Sequence, residues 1–162
     1  MTLAFYAPLK APTHPVPSGD RAMARALTAA LEMAGYTVSL ASGLRLYDGA
    51  GDAAHQDIIL AKAETEIARL CAAPEAQQWR AWVTYHNYYK APDLIGPRVA
   101  HALNIPYFQV ESTRARKRLT GPWARFAAAA EAASDAAHAI FFLTHRDAET
   151  LRRDAPDGPP TR

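Results

Sequence analysis

The sequence predicts an α/β protein: a single domain with a three-layer, Rossmann-like open parallel sheet and helices on both of its faces. Short apolar runs alternate with segments of helical periodicity along the chain. The runs lack strict in-out alternation, which is typical of strands buried on both faces of a parallel sheet. A length of 162 residues, with 49% hydrophobic and 21% charged residues, is that of one soluble globular domain.

Five apolar runs give the predicted strands. They are Leu3 to Ala7, Thr37 to Ala41, Trp82 to Tyr85, Tyr107 to Val110 and Ile140 to Leu143. The loop from Pro8 to Ser18, after the first strand, contains four prolines, each of which fixes its own φ. Such a loop is long yet stiff. Because it leaves the first strand at the carboxyl edge, where strand order usually reverses, we expect it to form one wall of a ligand site.

The first two predicted helices follow strands one and two. The first begins at Gly19 behind Ser18 as N-cap, ends at Gly35, and has an apolar stripe of Met23, Leu27, Leu31 and Ala34. The second spans about His55 to Ala72 and is expected to bury Ile59, Ala63, Ile67 and Leu70. Cys71 extends an apolar helical stripe, so we expect it to fill space in the core rather than take part in redox chemistry.

Three further helices complete the alternating pattern. The third is predicted to begin with Pro92 and Asp93, to bury Ile95, Val99 and Leu103, and to end at Asn104. The fourth is predicted from Gly121-Pro122 to about Ala137. The fifth opens with Thr144-x-x-Asp147, which resembles a capping box.

The predicted domain spans residues 1–153. Residues 154–162 contain three prolines and a glycine, which predicts the start of an interdomain linker or a disordered tail. The sequence has neither a signal peptide nor an apolar run long enough to cross a bilayer, so we expect a cytoplasmic protein. Peripheral contact with the inner face of the membrane stays open as an additional property.

Candidate ligand-binding residues follow three predicted strands and therefore share one sheet edge. Ser18, Gly19, Asp20 and Arg21 open the first helix, where exposed N–H groups favour an anion, and His14 lies in the loop before them. Asp20 and Ser18 also suit simple helix capping. His86, Asn87 and Tyr88 follow the third strand, and their mixture of rings and polar groups favours a polyhydroxylated ligand or, alternatively, a packed loop.

A charged segment follows the fourth strand. Four of the five residues from Arg114 to Arg118 are cationic. The candidate binding residues in this segment are Glu111, Ser112, Arg114, Lys117 and Arg118. The carboxylate suits a hydroxyl, and the cations suit a phosphate or an anionic lipid surface, unless the segment is only a solvated loop.

Several common chemistries are not indicated by the sequence. It contains neither GxGxxG nor GxxxxGK[ST], and no Gly-x-Ser-x-Gly elbow, CxxC or HExxH. The six histidines show no paired spacing, so we expect no metal site. A net charge of +2 is too small to predict nucleic-acid binding. No catalytic residue is assigned, and no cofactor is expected.

The chain resembles the N-terminal half of a retaining GT-B glycosyltransferase of the group 1, or family four, class. The resemblance covers nearly the whole chain and is carried by the following segments: Tyr6 to Lys10, Pro15 to Arg21 with Ala24, Leu27 and Leu31, Ala34 to Val38, Pro106 to Arg118, and Gly121 to Trp123. Its most specific element is the glycine-led helix together with the AGYTV turn, which is similar to the family's glycine loop and AGHxV signature.

This resemblance implies that the chain is the acceptor-binding half of a nucleotide-sugar-dependent transferase. The acceptor would be a sugar, a polyol or a lipid-linked molecule, Gly19 would approach the donor diphosphate, and the donor would bind mainly to a C-terminal domain that these residues do not include. Because the donor-binding domain is not among these residues, we expect the isolated chain not to turn over sugar nucleotides. The chain also has Glu111-Ser112 where many relatives carry a histidine that contacts the donor sugar. The alternative is a stand-alone, flavodoxin-like binding module for a phosphate or a polyol.

Overall fold

The protein contains one sheet of five parallel strands in a computed structural model that describes residues 1–155 and 157–162. The strands are β1 (Thr2–Tyr6), β2 (Thr37–Leu40), β3 (Trp79–Tyr85), β4 (Tyr107–Val110) and β5 (Ala139–Phe141). Their order is β2-β1-β3-β4-β5, and all four neighbouring pairs are parallel. The predicted fold class is confirmed. Strand order reverses between β1 and β3, which places a crevice between the carboxyl ends of these strands.

Helices cover both faces of the sheet. They are α1 (Gly19–Met33), α2 (Ala53–Ala72), α3 (Gly96–Ala102), α4 (Ala124–Asp135) and α5 (His145–Asp154), and short 3-10 helices span Pro74–Gln78 and Arg116–Arg118. The larger core joins strand residues such as Tyr6, Trp82 and Tyr107 to the apolar sides of α2, α3 and α4. The smaller core lies on the opposite face, where α1 packs on Phe5 and Val83.

Part of the α1 face is an apolar groove beside the helix. The groove has a volume of about 490 Å³, and Phe108, Val110, Phe141 and Leu143 are among the residues that line it. Phe141 and Leu143 are 41% and 46% exposed. The helices therefore leave part of this face of the sheet uncovered.

The stripe predicted for α1 is only partly correct. Leu27 and Leu31 pack against the smaller core, but Met23 is exposed and Ala34 lies just beyond the helix. Ala24 is the fully buried residue, because the helix turns this small side chain towards the sheet. The two predicted ends are correct. The Oγ of Ser18 accepts the N–H of Arg21, and Gly35 has a φ of 88°.

Two helices begin later than predicted. Before α3, the carboxylate of Asp93 accepts the N–H groups of Ile95 and Gly96, and this turn delays the helix to Gly96. Before α4, Gly121 has a left-handed φ of 80°, which a helix cannot continue through. The predicted end of α3 agrees with the structure, since Asn104 has a φ of 52°, as is typical of the residue that follows a helix.

The segment predicted to be a linker or disordered tail packs along β5, with position 156 outside the described residues. The N–H of Ile140 bonds to the carbonyl of Pro160, and the N–H of Arg162 bonds to the carbonyl of Ile140, both at 2.9 Å. Thr161 forms a parallel bridge with Ile140. The edge of β5 offers unpaired backbone groups, which explains why this polar, proline-rich segment is ordered against it.

Candidate functional site

The candidate site lies at the crevice between β1 and β3. Asp20, in the first turn of α1, contacts His86 at the end of β3, with 3.2 Å between Oδ1 and Nδ1. Their side chains are 33% and 23% exposed, and the Nδ1 atom of His86 itself is inaccessible to solvent. The contact is an ion pair when the imidazole is protonated. The start of α1 and the end of β3, on either side of the crevice, therefore contact each other through a carboxylate and an imidazole.

The start of α1 leaves open space. A Cβ built on Gly19 would meet no atom within 4 Å, so packing alone does not require glycine at this position. Ser18 uses its hydroxyl to cap the helix, and Arg21 is half-buried with its Nε unpaired among the described residues. His14, in the proline-rich loop, accepts the N–H of Val16 on its ring nitrogen at 3.1 Å.

His86 and Glu111 end neighbouring strands in left-handed backbone conformations, with φ values of 65° and 55°. The N–H of His86 bonds to Val110, and the N–H of Glu111 bonds to Phe141, so each residue continues the sheet pairing while its backbone turns. Such conformations cost about 1–3 kcal/mol each and occur often at functional sites. They set both side chains at the carboxyl edge.

Glu111 has a buried carboxylate oxygen. Its Oε2 is inaccessible to solvent and has no hydrogen-bond partner among the residues that the structure describes. Burial raises the pKa of the neighbouring Tyr85 hydroxyl above its ordinary value, and the carboxylate of Glu111 raises it further. Glu111 therefore places one carboxylate at this edge of the crevice, next to the hydroxyl of Tyr85.

A row of aromatic rings extends from the crevice along the sheet edge. Ring centroids lie 4.8 Å apart for His86 and Tyr88, 5.7 Å apart for Tyr88 and Tyr89, and 5.8 Å apart for Tyr89 and Trp123. Burial first, and then neighbouring groups that include Asp20, raise the pKa of Tyr88 to about 12. Tyr88 thus stays a neutral hydroxyl at physiological pH. The row provides flat, partly exposed apolar faces beside polar groups.

Asn87 belongs to a buried hydrogen-bonded ring rather than to the surface of the crevice. Its Nδ2 donates to the Oγ of Ser134, which donates to Gln109. Gln109 donates to the hydroxyl of Tyr107, and that hydroxyl donates to Asp93. The N–H of Asp93 returns to Asn87 Oδ1 and closes the ring. The side chain of Asn87 therefore holds the loop after β3 in place and does not face a ligand.

Arg114 also has a structural role. Its guanidinium donates to Glu131 at 2.6 Å and to Asp135 at 2.5 Å, and its side chain is 4% exposed. Glu131 additionally accepts the N–H of Ala115. The two carboxylates, one helical turn apart on α4, use the donors of Arg114 within the protein. This differs from the phosphate contact expected from the sequence.

The other three predicted residues of this segment lie in different environments. Ser112 is buried, and its hydroxyl has no partner among the described residues. Lys117 is exposed. The guanidinium of Arg118 lies near two rings, with its Cζ at 5.1 Å from the ring centre of Tyr89 and 5.5 Å from that of Trp123.

Lys90, Tyr89 and Trp123 are surface features that were not among the predicted binding residues. The Nζ of Lys90 lies 5.2 Å from the Trp123 ring and 5.9 Å from the Tyr89 ring, beside Arg118. We call these four residues (Tyr89, Lys90, Arg118 and Trp123) the cation-aromatic cluster. The Tyr89-Lys90 pair and the Trp123 that follows the basic segment are the sequence signals for it, but only the fold shows that they meet.

Within residues 1–155 and 157–162, no group of three His, Cys, Asp or Glu side chains is arranged to hold a metal ion. Among the helices in that part of the chain, none combines the length and the apolar character needed to cross a membrane. Protein-family models give no match to the chain, and curated proteins give no match to its sequence.

Proposed function

We propose that this chain is the acceptor-binding half of a nucleotide-sugar-dependent glycosyltransferase, with the acceptor in the crevice between β1 and β3. The observation that carries the proposal is the grouping of Asp20, His86 and Glu111 at one sheet edge, beside the open start of α1 at Gly19. Ligands of open parallel sheets bind at this kind of position.

The residues of the crevice suit a polyhydroxylated acceptor. Asp20 and Glu111 are both partly exposed, and their carboxylates accept hydrogen bonds from hydroxyl groups. The rings of His86 and Tyr88 offer faces for sugar C–H groups. Two acceptors on separate elements fix the orientation of a polyol, and orientation is the main contribution of an acceptor domain to transfer.

The resemblance to group 1 glycosyltransferases gives this binding site a role in a reaction. It implies that a second domain supplies most contacts to the sugar nucleotide and that Gly19 approaches the donor diphosphate. An open helix start without a side chain is compatible with such an approach. In this proposal the chain binds and orients the acceptor, and transfer requires the donor-binding domain.

Calorimetric titration of the 162-residue chain with a panel of sugars and polyols tests the binding step. We expect at least one member to bind, and the variants Glu111→Gln and His86→Gly to weaken its binding. Glu149→Gln and His101→Ala, at exposed positions on α5 and α3, are the matched controls. An absence of binding across the panel, or equal binding by all variants, would overturn the acceptor site.

A transfer assay with radiolabelled sugar nucleotides tests the division of labour. We expect no transfer by the isolated chain. Clear turnover by this chain alone would contradict the assignment of donor binding to a second domain, because the assay contains no such domain.

The second candidate is a stand-alone binding module. The strand order β2-β1-β3-β4-β5 is that of flavodoxin-like folds, which bind phosphate-containing ligands at the same switch point. Such a module needs full affinity from the isolated chain. In the same titrations it predicts tight binding of a phosphate or polyol, without any effect of added sugar nucleotide, whereas an acceptor half predicts weaker binding.

A further inference from the structure

The cation-aromatic cluster has two positive charges without carboxylate partners. Lys90 follows β3, Arg118 follows β4, and both lie within 6 Å of the ring centres of Tyr89 and Trp123. Neither forms an ion pair with any residue that the structure describes. Like charges held on shared rings repel each other, and a bound anion removes that repulsion.

Arg118 has an unused hydrogen-bond donor. Its Nε is inaccessible to solvent and has no acceptor within the described part of the chain. The terminal N–H groups of a guanidinium bind phosphate and carboxylate oxygens, while contact with aromatic rings restricts its position. The geometry therefore fixes the guanidinium without using all of its donors.

Neighbouring groups hold the cluster in place rather than neutralise it. The backbone carbonyl of Asp48 accepts the indole N–H of Trp123, and the backbone N–H of Asp48 donates to the carbonyl of Lys90. The carboxylate of Asp48 is directed elsewhere, to Gln56 and to the N–H groups of Ala50 and Gly51. A side chain at Gly51 would lie 2.5 Å from the Cβ of Pro122, so this loop fits closely against the residue before Trp123.

We propose that the cation-aromatic cluster binds a phosphate or carboxylate group, and that the ligand of the crevice is therefore an anionic polyol. The row of rings from His86 to Trp123 connects the two ends of such a ligand. Hydroxyl groups would contact Asp20 and Glu111, and the anion would contact Lys90 and Arg118. Only the assignment of this anion to the acceptor rests on the proposed function; the anion site itself does not.

Titration with inorganic phosphate at constant ionic strength tests the site directly. We expect Arg118→Gln and Lys90→Gln each to weaken binding roughly tenfold, because each removes a charged hydrogen bond. Arg116→Gln is the matched control, since this exposed arginine has the same charge but lies outside the cluster. Equal losses in Arg116→Gln and Arg118→Gln would overturn the site, because they would show only diffuse surface charge.

Tryptophan fluorescence locates the bound anion. Trp79 and Trp82 are 2% and 0% exposed, whereas Trp123 is half-buried in the cluster. We expect phosphate to change the emission of Trp123 and to protect it from quenching by iodide. The variant Trp123→Phe should lose this signal and still bind phosphate in the calorimeter. A signal that persists in Trp123→Phe would place the anion elsewhere and overturn the proposal.

Two further arms distinguish the source of the anion and separate the two proposals. Glucose 6-phosphate is compared with glucose, and phosphatidylcholine vesicles are compared with vesicles that also contain phosphatidylglycerol. Arg118-dependent binding to either anionic probe supports the site and shows whether its ligand is soluble or lipid-borne. Sugar binding with no gain from phosphate overturns the anion site alone. Phosphate binding without any sugar or polyol binding overturns the acceptor proposal alone.

Discussion

Single residues at the ends of β3 and β4 determine the shape of the candidate site. His86 and Glu111 adopt positive φ angles that favour glycine, yet both carry polar side chains that meet the crevice. A left-handed conformation at a residue with a Cβ costs free energy. Glycine would avoid this cost but has no side chain. His86 and Glu111 place an imidazole and a carboxylate at the two strand ends, which supports a role for these residues in binding.

Replacement of His86 separates backbone strain from side-chain function. Both His86→Ala and His86→Gly lose the contact with Asp20, but only alanine retains a Cβ at a φ of 65°. We expect His86→Gly to be more stable than His86→Ala by about 1 kcal/mol in urea unfolding. Equal stability of the two variants would show that the backbone at this position is not strained.

Whole elements are tied together by the buried ring of hydrogen bonds. The ring connects the loop after β3, strand β4 and helix α4 through Asn87, Tyr107, Gln109 and Ser134, all of which are at most 2% exposed. Buried polar groups are costly unless every one is paired, so a closed ring accepts one arrangement of these elements. These hydrogen bonds hold the loop that carries His86 and Tyr88 in one position against α4.

The hydroxyl of Tyr107 tests the ring. In Tyr107→Phe, Gln109 loses an acceptor and Asp93 loses a donor, and both groups stay buried. We expect a loss of about 1–3 kcal/mol in the free energy of unfolding. Tyr36→Phe is the control, because Tyr36 is 37% exposed. A loss in Tyr107→Phe no larger than in the control would argue against the ring.

Helix α1 depends on its cap at the crevice. Ser18→Ala removes the oxygen that accepts the N–H of Arg21, and we expect it to cost about 1 kcal/mol of stability. Ser18→Asn retains a capping oxygen and should restore most of the loss. Thermal unfolding of the two variants measures this difference. If alanine and asparagine behave alike, the hydroxyl of Ser18 is not used as a cap.

The predictable elements are those whose signals are local. The caps at Ser18 and Thr144 and the residue that ends α3, Asn104, are all visible as short patterns and agree with the structure. The start of α3 was wrong because Asp93 satisfies two backbone N–H groups before the helix begins. That contact lies within four residues, but the carboxylate is also held by Thr84 and Tyr107, which no short window of sequence contains.

The candidate site was less predictable than the fold. Strand ends correctly indicated the carboxyl edge, but residue type could not distinguish Arg118, which lies near two rings, from Arg114, which is paired to α4. Glu131 and Asp135 are four residues apart on one helix face, and this spacing was the available signal for the second case. Lys90 and Trp123 come together only through the pairing of β3 with β4.

At the scale of the whole molecule, the carboxyl group of Asp93 is buried in contact with the larger core through Tyr107. Burial raises the pKa of Asp93 above its ordinary value, although Thr84, Tyr107 and two backbone N–H groups donate to it. The folded state therefore holds the proton of Asp93 more tightly than the unfolded chain does. This group stabilises the fold fully below the ordinary pKa of about 3.9, and the contribution is lost as the pH rises towards the raised pKa.

The variant Asp93→Asn isolates this titration, because the amide does not ionise. We expect the unfolding free energy of the wild type minus that of Asp93→Asn to decrease as the pH rises from about 4. Urea unfolding at a series of pH values measures it, and the other carboxyl groups cancel in the comparison. A difference that grows with pH would show that the pKa of Asp93 is lowered instead.

The residues that pair with β5 also affect whether one copy of the protein associates with another. An uncovered outer strand offers a row of N–H and C=O groups to any passing chain, which is a common route to aggregation. Here that position is occupied by the segment that contains Pro159 and Pro160, and proline has no N–H to donate. The edge of the sheet at β5 is thus a poor template for another strand, and self-association through this edge is disfavoured.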